Sequence, residues 1–317
     1  MREDLKSKKI IVLAGGWSDE REISLISGQS VFNALKNAGY NVKFCDFTSD
    51  EFTKIESYFN HNKSDILFNL MHGKGGEDGK VQTYLDKLGL FYVGSNAEAS
   101  HLSFNKVLTK ERWIKNGLPT PKFKDLHLVD EKFLKDLHNI NKIIIKPKSS
   151  GSSVGIKIIV IDNSEIINQE IFINKIKNIY GDIDLDEYFI ELFVDGSEYT
   201  APILNGKVLP VIKIETKREF YDYDAKYNDE NTRFTFPTFE KRLQDKINKT
   251  CLDAFESLGC TGWGRVDFFL DANMSINLIE LNSIPGMTNH SLVPMSADKF
   301  GYSYLELIEN ILTQKNV

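Results

Sequence analysis

The stretch GRVDFFLDANMSINLIELN, residues 264–282, decides the fold. Apolar and polar side chains alternate along two runs, 265–270 and 276–282, and a period of two predicts strands. Between these runs, residues 271–273 (Asp-Ala-Asn) are typical of a turn. The stretch therefore predicts an antiparallel hairpin.

Four polar side chains meet on this hairpin. Folding it symmetrically about the turn sets Asp267 opposite Glu280 and Arg265 opposite Asn282. Because carboxylates that lie directly opposite each other repel, we expect a cation between Asp267 and Glu280. Oxygen ligands from Asp, Glu and Asn suit a hard cation such as Mg²⁺. The alternative is the solvated polar face of an amphipathic hairpin.

The composition is that of an ordinary globular protein with room for two or three domains. The chain has 317 residues, of which 41% are hydrophobic and 26% are charged. A net charge of -6 without a long basic run excludes a general nucleic-acid binder. The 3 cysteines include no C-x-x-C, which argues against a disulfide framework or a zinc site and favours a cytoplasmic protein. No apolar run reaches the ~18 residues of a membrane span, so we expect no membrane partner.

The N-terminal third alternates strands with helices. Apolar strands at 10–13, 42–47 and 66–71 are each followed by a helical pattern. Such units predict a parallel sheet with ligand-binding loops at its carboxyl edge, where Glu20 and His72 both lie. The alternatives are a first-turn acid favoured by the helix dipole for Glu20 and an ordinary loop histidine for His72. A dinucleotide site is disfavoured because the glycines lack the G-x-G-x-x-G spacing.

Two later loops are typical of ligand-binding segments. A strand ending at Lys146 leads into the Ser/Gly loop 148–155, whose N–H groups and hydroxyls can surround phosphate oxygens. The alternative is an ordinary Ser/Gly turn, because the G-x-x-x-x-G-K-[ST] pattern is absent. Residues 216–240 lack periodicity and are interpreted as a long functional or disordered loop.

Six motifs follow one another along nearly the whole chain: GGWSDEREISL (15–25), HGKGGEDG (72–79), IKPKSSGSSVG (145–155), YDYDAKY (221–227), GWGRVDFFLD (262–271) and ELNSIPGMTNHSLVPM (280–295). Together they resemble the D-alanine–D-alanine ligases of the ATP-grasp superfamily. The resemblance implies an α/β (α+β) ATP-grasp fold. Its first part is an N-terminal Rossmann-like parallel-sheet domain at 1–96. A central lid domain at 97–187 and a C-terminal catalytic domain at 188–317 follow, and these two sandwich ATP.

The resemblance also implies a reaction. ATP phosphorylates the carboxylate of one D-alanine, and the amine of a second D-alanine displaces phosphate from the acyl phosphate. Two Mg²⁺ ions, which Mn²⁺ can replace, would be held by Asp267, Glu280 and Asn282. This agrees with the cation expected from the opposed carboxylates alone.

The remaining roles are implied residue by residue. The catalytic positions are Glu20, Ser152, Tyr227, Arg265 and Gly286. The positions that bind the amino-acid substrates are His72, Lys226, Ser291 and Leu292. The ATP-binding positions are Lys106, Lys146, Gly151, Ser153, Val154, Glu191, Leu192, Phe193, Val194 and Glu198.

The implied partners are ATP and two D-alanines, and the family suggests a homodimer in the cytoplasm. A hydroxyl at Tyr227 favours an amine nucleophile, because relatives that join D-alanine to D-lactate tend to carry Phe there. Two alternatives stay open. One keeps the fold with other substrates, as in another peptide ligase or a depsipeptide ligase. The other is a nucleotide-binding regulatory protein without turnover, which is disfavoured because Arg265 and all three metal-binding positions are present.

Overall fold

The described residues form three sheets in the computed structural model. The structure describes residues 2–61, 64–138, 140–151, 155–162, 168–181, 183–216, 232–288 and 290–314.

The first sheet is parallel, with strand order β2-β1-β3-β4. Its strands are β1 (Ile10–Gly15), β2 (Val42–Phe47), β3 (Ile66–Asn69) and β4 (Tyr92–Val93). The helices between and before them are α1 (Glu3–Lys6), α2 (Arg21–Asn37), α3 (Phe52–His61) and α4 (Lys80–Lys87). Every residue of β1 is buried because apolar clusters cover both faces. The predicted parallel sheet is confirmed, and α2 and the loop after β3 start at its carboxyl edge.

The second sheet is antiparallel, with strand order β5-β8-β6-β7. Its strands are β5 (Phe123–Asp125), β6 (Lys142–Pro147), β7 (Lys157–Val160) and β8 (Tyr188–Leu192). The associated helices are α5 (Ala97–Phe104), α6 (Lys106–Lys115), α7 (Glu131–Asp136) and α8 (Gln169–Tyr180), with 3-10 turns at Leu126–Leu128 and Leu185–Glu187. Ile143 and Ile145 of β6 face an apolar core. Alternation therefore turns Lys146 to the other face of the sheet.

The third sheet carries the hairpin, with strand order β12-β11-β9-β13-β14 and β10 beside β9. Its strands are β9 (Gly196–Leu204), β10 (Lys207–Val208), β11 (Ile212–Glu215), β12 (Arg233–Thr235), β13 (Trp263–Asp271) and β14 (Ile276–Asn282). Helix α9 (Lys241–Ser257) covers one face with Ile247, Cys251 and Phe255. The predicted hairpin is confirmed. The prediction of a long loop at 216–240 is wrong for residues 233–235, which form β12 and pair with β11. Residues 217–231 lie outside the described residues.

Two C-terminal helices return to the first sheet. They are α10 (Leu292–Phe300) and α11 (Tyr304–Leu312). Leu307 and Ile311 share one buried cluster with Ile10 and Phe68, and the Tyr40 hydroxyl donates to Glu309 Oε1 at 2.5 Å. Val293 of α10 shares the same cluster with Val31 and Leu35, so the start of α10 packs near α2.

The division at 96/97 and 187/188 into three domains stays a prediction. Strand β8, just beyond the second boundary, pairs with β5 and β6 in the second sheet. None of the helices in the described part of the chain is both long and apolar enough to cross a bilayer.

Candidate active site

The β13–β14 hairpin sets four polar side chains face to face. Asp267 pairs with Glu280, and Arg265 pairs with Asn282, as the sequence predicts. Arg265 donates to both carboxylate oxygens of Asp267, at 2.9 Å and 2.8 Å. Thr200 on β9 donates to Asp267 Oδ1 at 2.5 Å. The near-buried carboxylate thus has a guanidinium as its counter-charge.

A bulge decides which face Glu280 occupies. Phe268 pairs with Leu278 while Asp267 pairs with Glu280, so Ile279 has no partner in the register. Leu278 and Leu281 both face the apolar core under the sheet. Strict alternation from Leu278 would send Glu280 into that core. The extra residue turns it to the face of Asp267.

Lys106 connects the hairpin to the Ser/Gly loop. Its Nζ lies 3.3 Å from Glu280 Oε2 and donates to the Ser150 carbonyl at 2.6 Å. Lys106 is the first residue of α6, and the Asn105 side chain caps that helix. The cap fixes the position from which the lysine reaches Glu280.

A second lysine of α6 lies in a buried ionic cluster. Lys110 contacts Glu191 Oε1, and Lys146 Nζ lies 2.5 Å from Glu191 Oε2. Burial raises the pKa of Glu191, but the two ammonium groups outweigh it and leave the pKa lowered. The predicted ATP-binding residues Lys146 and Glu191 are therefore brought together.

Two glycines enclose the Glu20 carboxylate. A Cβ on Gly151 would lie 2.0 Å from Glu20 Oε2, and one on Gly73 would lie 2.8 Å from the same atom. Gly73 also has φ +70, a conformation that favours glycine. Glu20 precedes α2 without capping it through its side chain. The carboxylate thus lies between the loop after β3 and the Ser/Gly loop.

His72 is buried at the carboxyl edge of the first sheet. Its Nε2 lies 3.3 Å from Ser27 Oγ, which accepts from the Met287 N–H at 3.2 Å. Burial and the charge of Arg265 lower the pKa of His72, a hydrogen bond with the Ile284 backbone opposes them, and the resulting pKa is about 4. The imidazole is therefore neutral at pH 7.

Glu77 is a second acid beside Glu20. It is 7% exposed and accepts from the Gly73 N–H at 2.8 Å. Burial and, to a lesser degree, the charge of Glu20 raise the pKa of Glu77, the Gly73 hydrogen bond, Lys106 and Arg265 oppose the rise, and the resulting pKa is about 8. At neutral pH this carboxyl group is largely protonated.

Hydroxyl groups gather at the start of α10. Ser291 precedes the helix, and its Oγ lies 2.9 Å from Thr288 Oγ1 and accepts from the Thr288 N–H at 3.0 Å. A Cβ on Gly286 would lie 2.9 Å from Ser291 Oγ, so only glycine leaves this approach open. A helix N-terminus with hydroxyls beside it favours an anion.

One cavity of about 510 Å³ joins these groups. The predicted site residues that line it are Glu20, His72, Lys106, Gly151, Arg265, Glu280, Asn282, Gly286, Ser291 and Leu292. The cavity lining thus combines acids and a guanidinium with the start of α10.

The other predicted residues lie elsewhere. Asp267 lies under Arg265, and Lys146 lies in the buried cluster with Glu191. Leu192 ends β8, with Phe193 and Val194 after it, and Glu198 lies two residues before Thr200 on β9. Ser152, Ser153, Val154, Lys226 and Tyr227 lie outside the described residues.

Sequence analysis did not assign four residues that the structure places at the site. Glu77 lies within the quoted motif HGKGGEDG and Thr288 within PGMTNHS, so the motifs could have identified both residues. Ser27 and Lys110 had none, because each is a polar residue within a helical pattern and only tertiary packing reveals its partners.

The hairpin residues fit a magnesium site completed by phosphates. Within the described ranges no group of three His, Cys, Asp or Glu side chains is arranged to hold a metal. The available metal donors are the carboxylates of Asp267 and Glu280 and the side-chain amide of Asn282, and each offers an oxygen atom. Mg²⁺ is commonly held by one or two carboxylates together with substrate phosphates, so the donor set suits that ion once a nucleotide is bound.

Comparisons with known proteins point to one family. A family model described as D-ala D-ala ligase C-terminus matches residues 113–313. A D-alanine–D-alanine ligase of Mannheimia succiniciproducens is 37% identical over 322 residues, covering 97% of this chain and 98% of the relative. One from Haemophilus ducreyi is 36% identical over 315 residues, covering 98% of each chain.

Solved structures agree with these sequence comparisons. The crystal structure of D-alanine–D-alanine ligase from Bacillus anthracis has a TM-score of 0.78 and 32% identity, covering 96% of each chain. A structure of the same enzyme complexed with ATP has a TM-score of 0.78 and 30% identity, covering 96% of this chain and 95% of that one. The similarity confirms the predicted fold class.

Proposed function

The chain belongs to the D-alanine–D-alanine ligase family, and we propose that it joins two D-alanines at the expense of ATP, giving D-alanyl-D-alanine, ADP and phosphate. The dipeptide serves peptidoglycan precursor synthesis. The observation that carries this function is the single cavity lined by Glu20, Arg265, Glu280 and Ser291. It combines a phosphoryl-transfer face with groups suited to amino-acid substrates.

The first step forms an acyl phosphate. An oxygen of the first D-alanine carboxylate attacks the γ-phosphorus of ATP, the bond to the β-phosphate oxygen breaks, and ADP leaves. Both reactants are anions, so the protein must neutralise charge and align them. Arg265 is suited to this because its planar guanidinium binds phosphoryl and carboxylate oxygens in a bidentate manner. Lys106, beside Glu280, adds positive charge.

The second step forms the peptide bond. The amine of the second D-alanine attacks the acyl carbon, and phosphate leaves from the tetrahedral intermediate. We assign the Gly286 N–H to the developing oxyanion, with Arg265 on the other side. The Ser291 hydroxyl and the start of α10 receive the carboxylate of the second D-alanine, and Leu292 lies beside its methyl group.

The first D-alanine needs an anion for its ammonium group. Glu20 supplies one, enclosed between Gly73 and Gly151. His72 is neutral and buried on the same cavity, so it provides polarity without repelling the ammonium. Ser152 and Tyr227 are proposed to connect Glu20 to the closing loops, with Lys226 on the same segment. Closure excludes water, which would otherwise hydrolyse the acyl phosphate.

ATP and the metal ions complete the proposal. We place the phosphates near Lys106, Lys146, Gly151, Ser153 and Val154, and the adenosine near Glu191, Leu192, Phe193, Val194 and Glu198. Asp267, Glu280 and Asn282 would hold two Mg²⁺ ions. When bound, Mg²⁺ or Mn²⁺ neutralises the phosphate charge. We further propose a homodimer in the cytoplasm.

The deciding assay mixes the protein with Mg-ATP and D-alanine and measures ADP, phosphate and dipeptide. The expected result is one dipeptide for each ADP, with phosphate release that requires D-alanine. A parallel panel keeps D-alanine and adds L-alanine, D-serine or D-lactate as a competing second substrate. Formation of D-alanyl-D-lactate with equal or greater efficiency than the dipeptide would replace the proposal with a depsipeptide ligase, and ATP binding without turnover on any substrate would favour a regulatory protein.

A further inference from the structure

One buried carboxylate is shared between two lysines. Glu191 is 1% exposed, and each of its oxygens contacts a different ammonium group, Oε1 that of Lys110 and Oε2 that of Lys146. The three side chains come from three elements, α6, β6 and β8. The cluster therefore carries two positive charges against one negative charge.

Lys110 has no room for a ligand. It is fully buried, and its Nζ donates to Thr120 Oγ1 at 2.8 Å and lies 3.4 Å from the Leu278 carbonyl oxygen. With Glu191 these groups take the three N–H donors of an ammonium group. Lys110 therefore acts through its neighbours and not by contact with substrate.

Lys146 differs from Lys110 in its number of partners. Within the described residues its Nζ has one hydrogen-bond acceptor, Glu191 Oε2. Two of its three donors remain for other groups. Lys146 lies on the side of the second sheet opposite its apolar core, where the proposed function puts the phosphates.

We propose that Lys110 is a positioning residue for ATP binding. Lys110 occupies one oxygen of Glu191 and offsets part of its negative charge. Lys146 therefore keeps positive charge for the phosphates. This inference rests on the proposed use of ATP. Without Lys110, Glu191 would neutralise Lys146 completely, and a paired ammonium attracts phosphate less strongly.

The titration of Lys110 is consistent with this role. Burial and the charge of Lys146 lower the pKa of Lys110, Glu191 and Glu280 oppose that shift, and the resulting pKa is about 8. The ammonium is therefore charged at pH 7 and loses its proton as the pH rises above about 8.

The test is a charge-removal cycle read by ATP affinity without D-alanine. The Kd of Mg-ATP is measured by equilibrium binding for wild type, K110M, E191Q, K110M/E191Q and the control K115M. Lys115 is an exposed lysine of the same helix. K110M should raise the Kd about tenfold or more, the size of a weakened charge-assisted contact. K110M should raise the Kd much less in the E191Q background, because a neutral amide in place of the Glu191 carboxylate no longer cancels the charge of Lys146, and K115M should bind as wild type.

Two outcomes would overturn the inference. Wild-type affinity in K110M shows that Lys110 does not affect the phosphates. A loss on K110M that is as large in the E191Q background as in the wild-type background shows a merely structural role. K110Q, which can still donate to Thr120, covers the case in which K110M does not fold, and it should show the same loss. If wild type binds no ATP, the proposed function fails, and that result is distinct from a missing effect in the variants.

Discussion

Glu280 lies directly across the hairpin from Asp267 because Ile279 is an extra residue in β14. The turn brings the two strands together, and the bulge places the carboxylates of Asp267 and Glu280 on the same face of the hairpin. Two acids beside Arg265 and Lys106 form an arrangement in which each carboxylate has a cation before any ligand binds. A metal with ATP phosphates would take over that counter-charge.

Glu280→Gln should abolish turnover without unfolding the protein. The variant keeps its shape and loses a charge that would hold the metal, so we expect ADP formation to fall roughly 10²–10³-fold, as when a preorganised electrostatic contact is removed. The Tm without ligand should stay close to wild type, because Glu280 is partly exposed and its partner Lys106 still donates a hydrogen bond to the Ser150 carbonyl.

Asp267→Asn offers the contrast. It should lose turnover equally but also lower the Tm, because Arg265 would lose its bidentate partner in a near-buried site. Glu215→Gln on β11, an exposed acid paired with Lys213, serves as the control and should keep full activity. A Glu280→Gln enzyme with wild-type turnover and an unchanged Mg²⁺ requirement would contradict the metal assignment.

The hairpin also shows how far the sequence predicts the site. Symmetry about the turn pairs Asp267 with Glu280 correctly, yet Leu270 pairs with Ile276, one residue away from what the same symmetry requires. Strict alternation would also put Leu278 and Glu280 on one face. The bulge resolves both points. Its position depends on how Leu278 and Leu281 pack over α9, which the local pattern does not contain.

The rest of the site depends on tertiary packing in the same way. The strand ends and motifs of the sequence were enough to predict that Glu20 and His72 lie at the site, because loops at the carboxyl edge of a parallel sheet converge. The pattern of α6 gave no reason to distinguish Lys110 from an exposed lysine, since its partners come from β8, from Leu278 and from Thr120. Such contacts join residues up to 168 positions apart, which a local pattern does not encode.

Gly151→Ala should weaken use of the first D-alanine. The new Cβ would lie 2.0 Å from Glu20 Oε2, so either the loop or the carboxylate must move. A misplacement of about 1 Å at a reacting site costs about 100-fold, and we expect kcat/KM for D-alanine to fall by that order. Gly206→Ala is the control. It has φ +74 with open space around the new Cβ, so it strains the backbone but should leave the KM for D-alanine unchanged. Equal kinetics for both variants would show that Glu20 tolerates a displaced loop.

His72 should stay neutral throughout the working range of the enzyme. Burial holds its pKa near 4, so the imidazole protonates only below that pH. Proton NMR of the histidine ring signals, with His72→Gln to assign the resonance, should show no shift for His72 between pH 5.5 and 8. In urea the same signal should titrate near the ordinary value of about 6.5. A transition near 6.5 in the folded protein would mean that the imidazole is reached by water or stabilised by a charge.

Glu77 should make the fold less stable as the pH rises. Burial raises its pKa to about 8, above the value of 4.5 that applies to the unfolded chain, so the folded protein holds a proton that the unfolded chain has lost. The resulting stabilisation is complete below pH 4.5 and disappears as the pH rises through 8. Glu77→Gln keeps an acceptor for the Gly73 N–H and has no proton to lose. Its Tm should therefore decline less than that of wild type between pH 5 and 9.

The size of that difference can be measured by thermal unfolding. We expect Glu77→Gln to gain about 1 kcal/mol or more over wild type at pH 9 relative to pH 5, which corresponds to roughly 1.5 °C or more in Tm for a chain of this length. Glu215→Gln, which removes an exposed acid, should follow the wild-type curve. Parallel curves for wild type and Glu77→Gln would mean that Glu77 is already ionised at neutral pH. Glu20 and Glu77 would then both be charged in the empty cavity, and the ammonium of the first D-alanine would meet two negative charges instead of one.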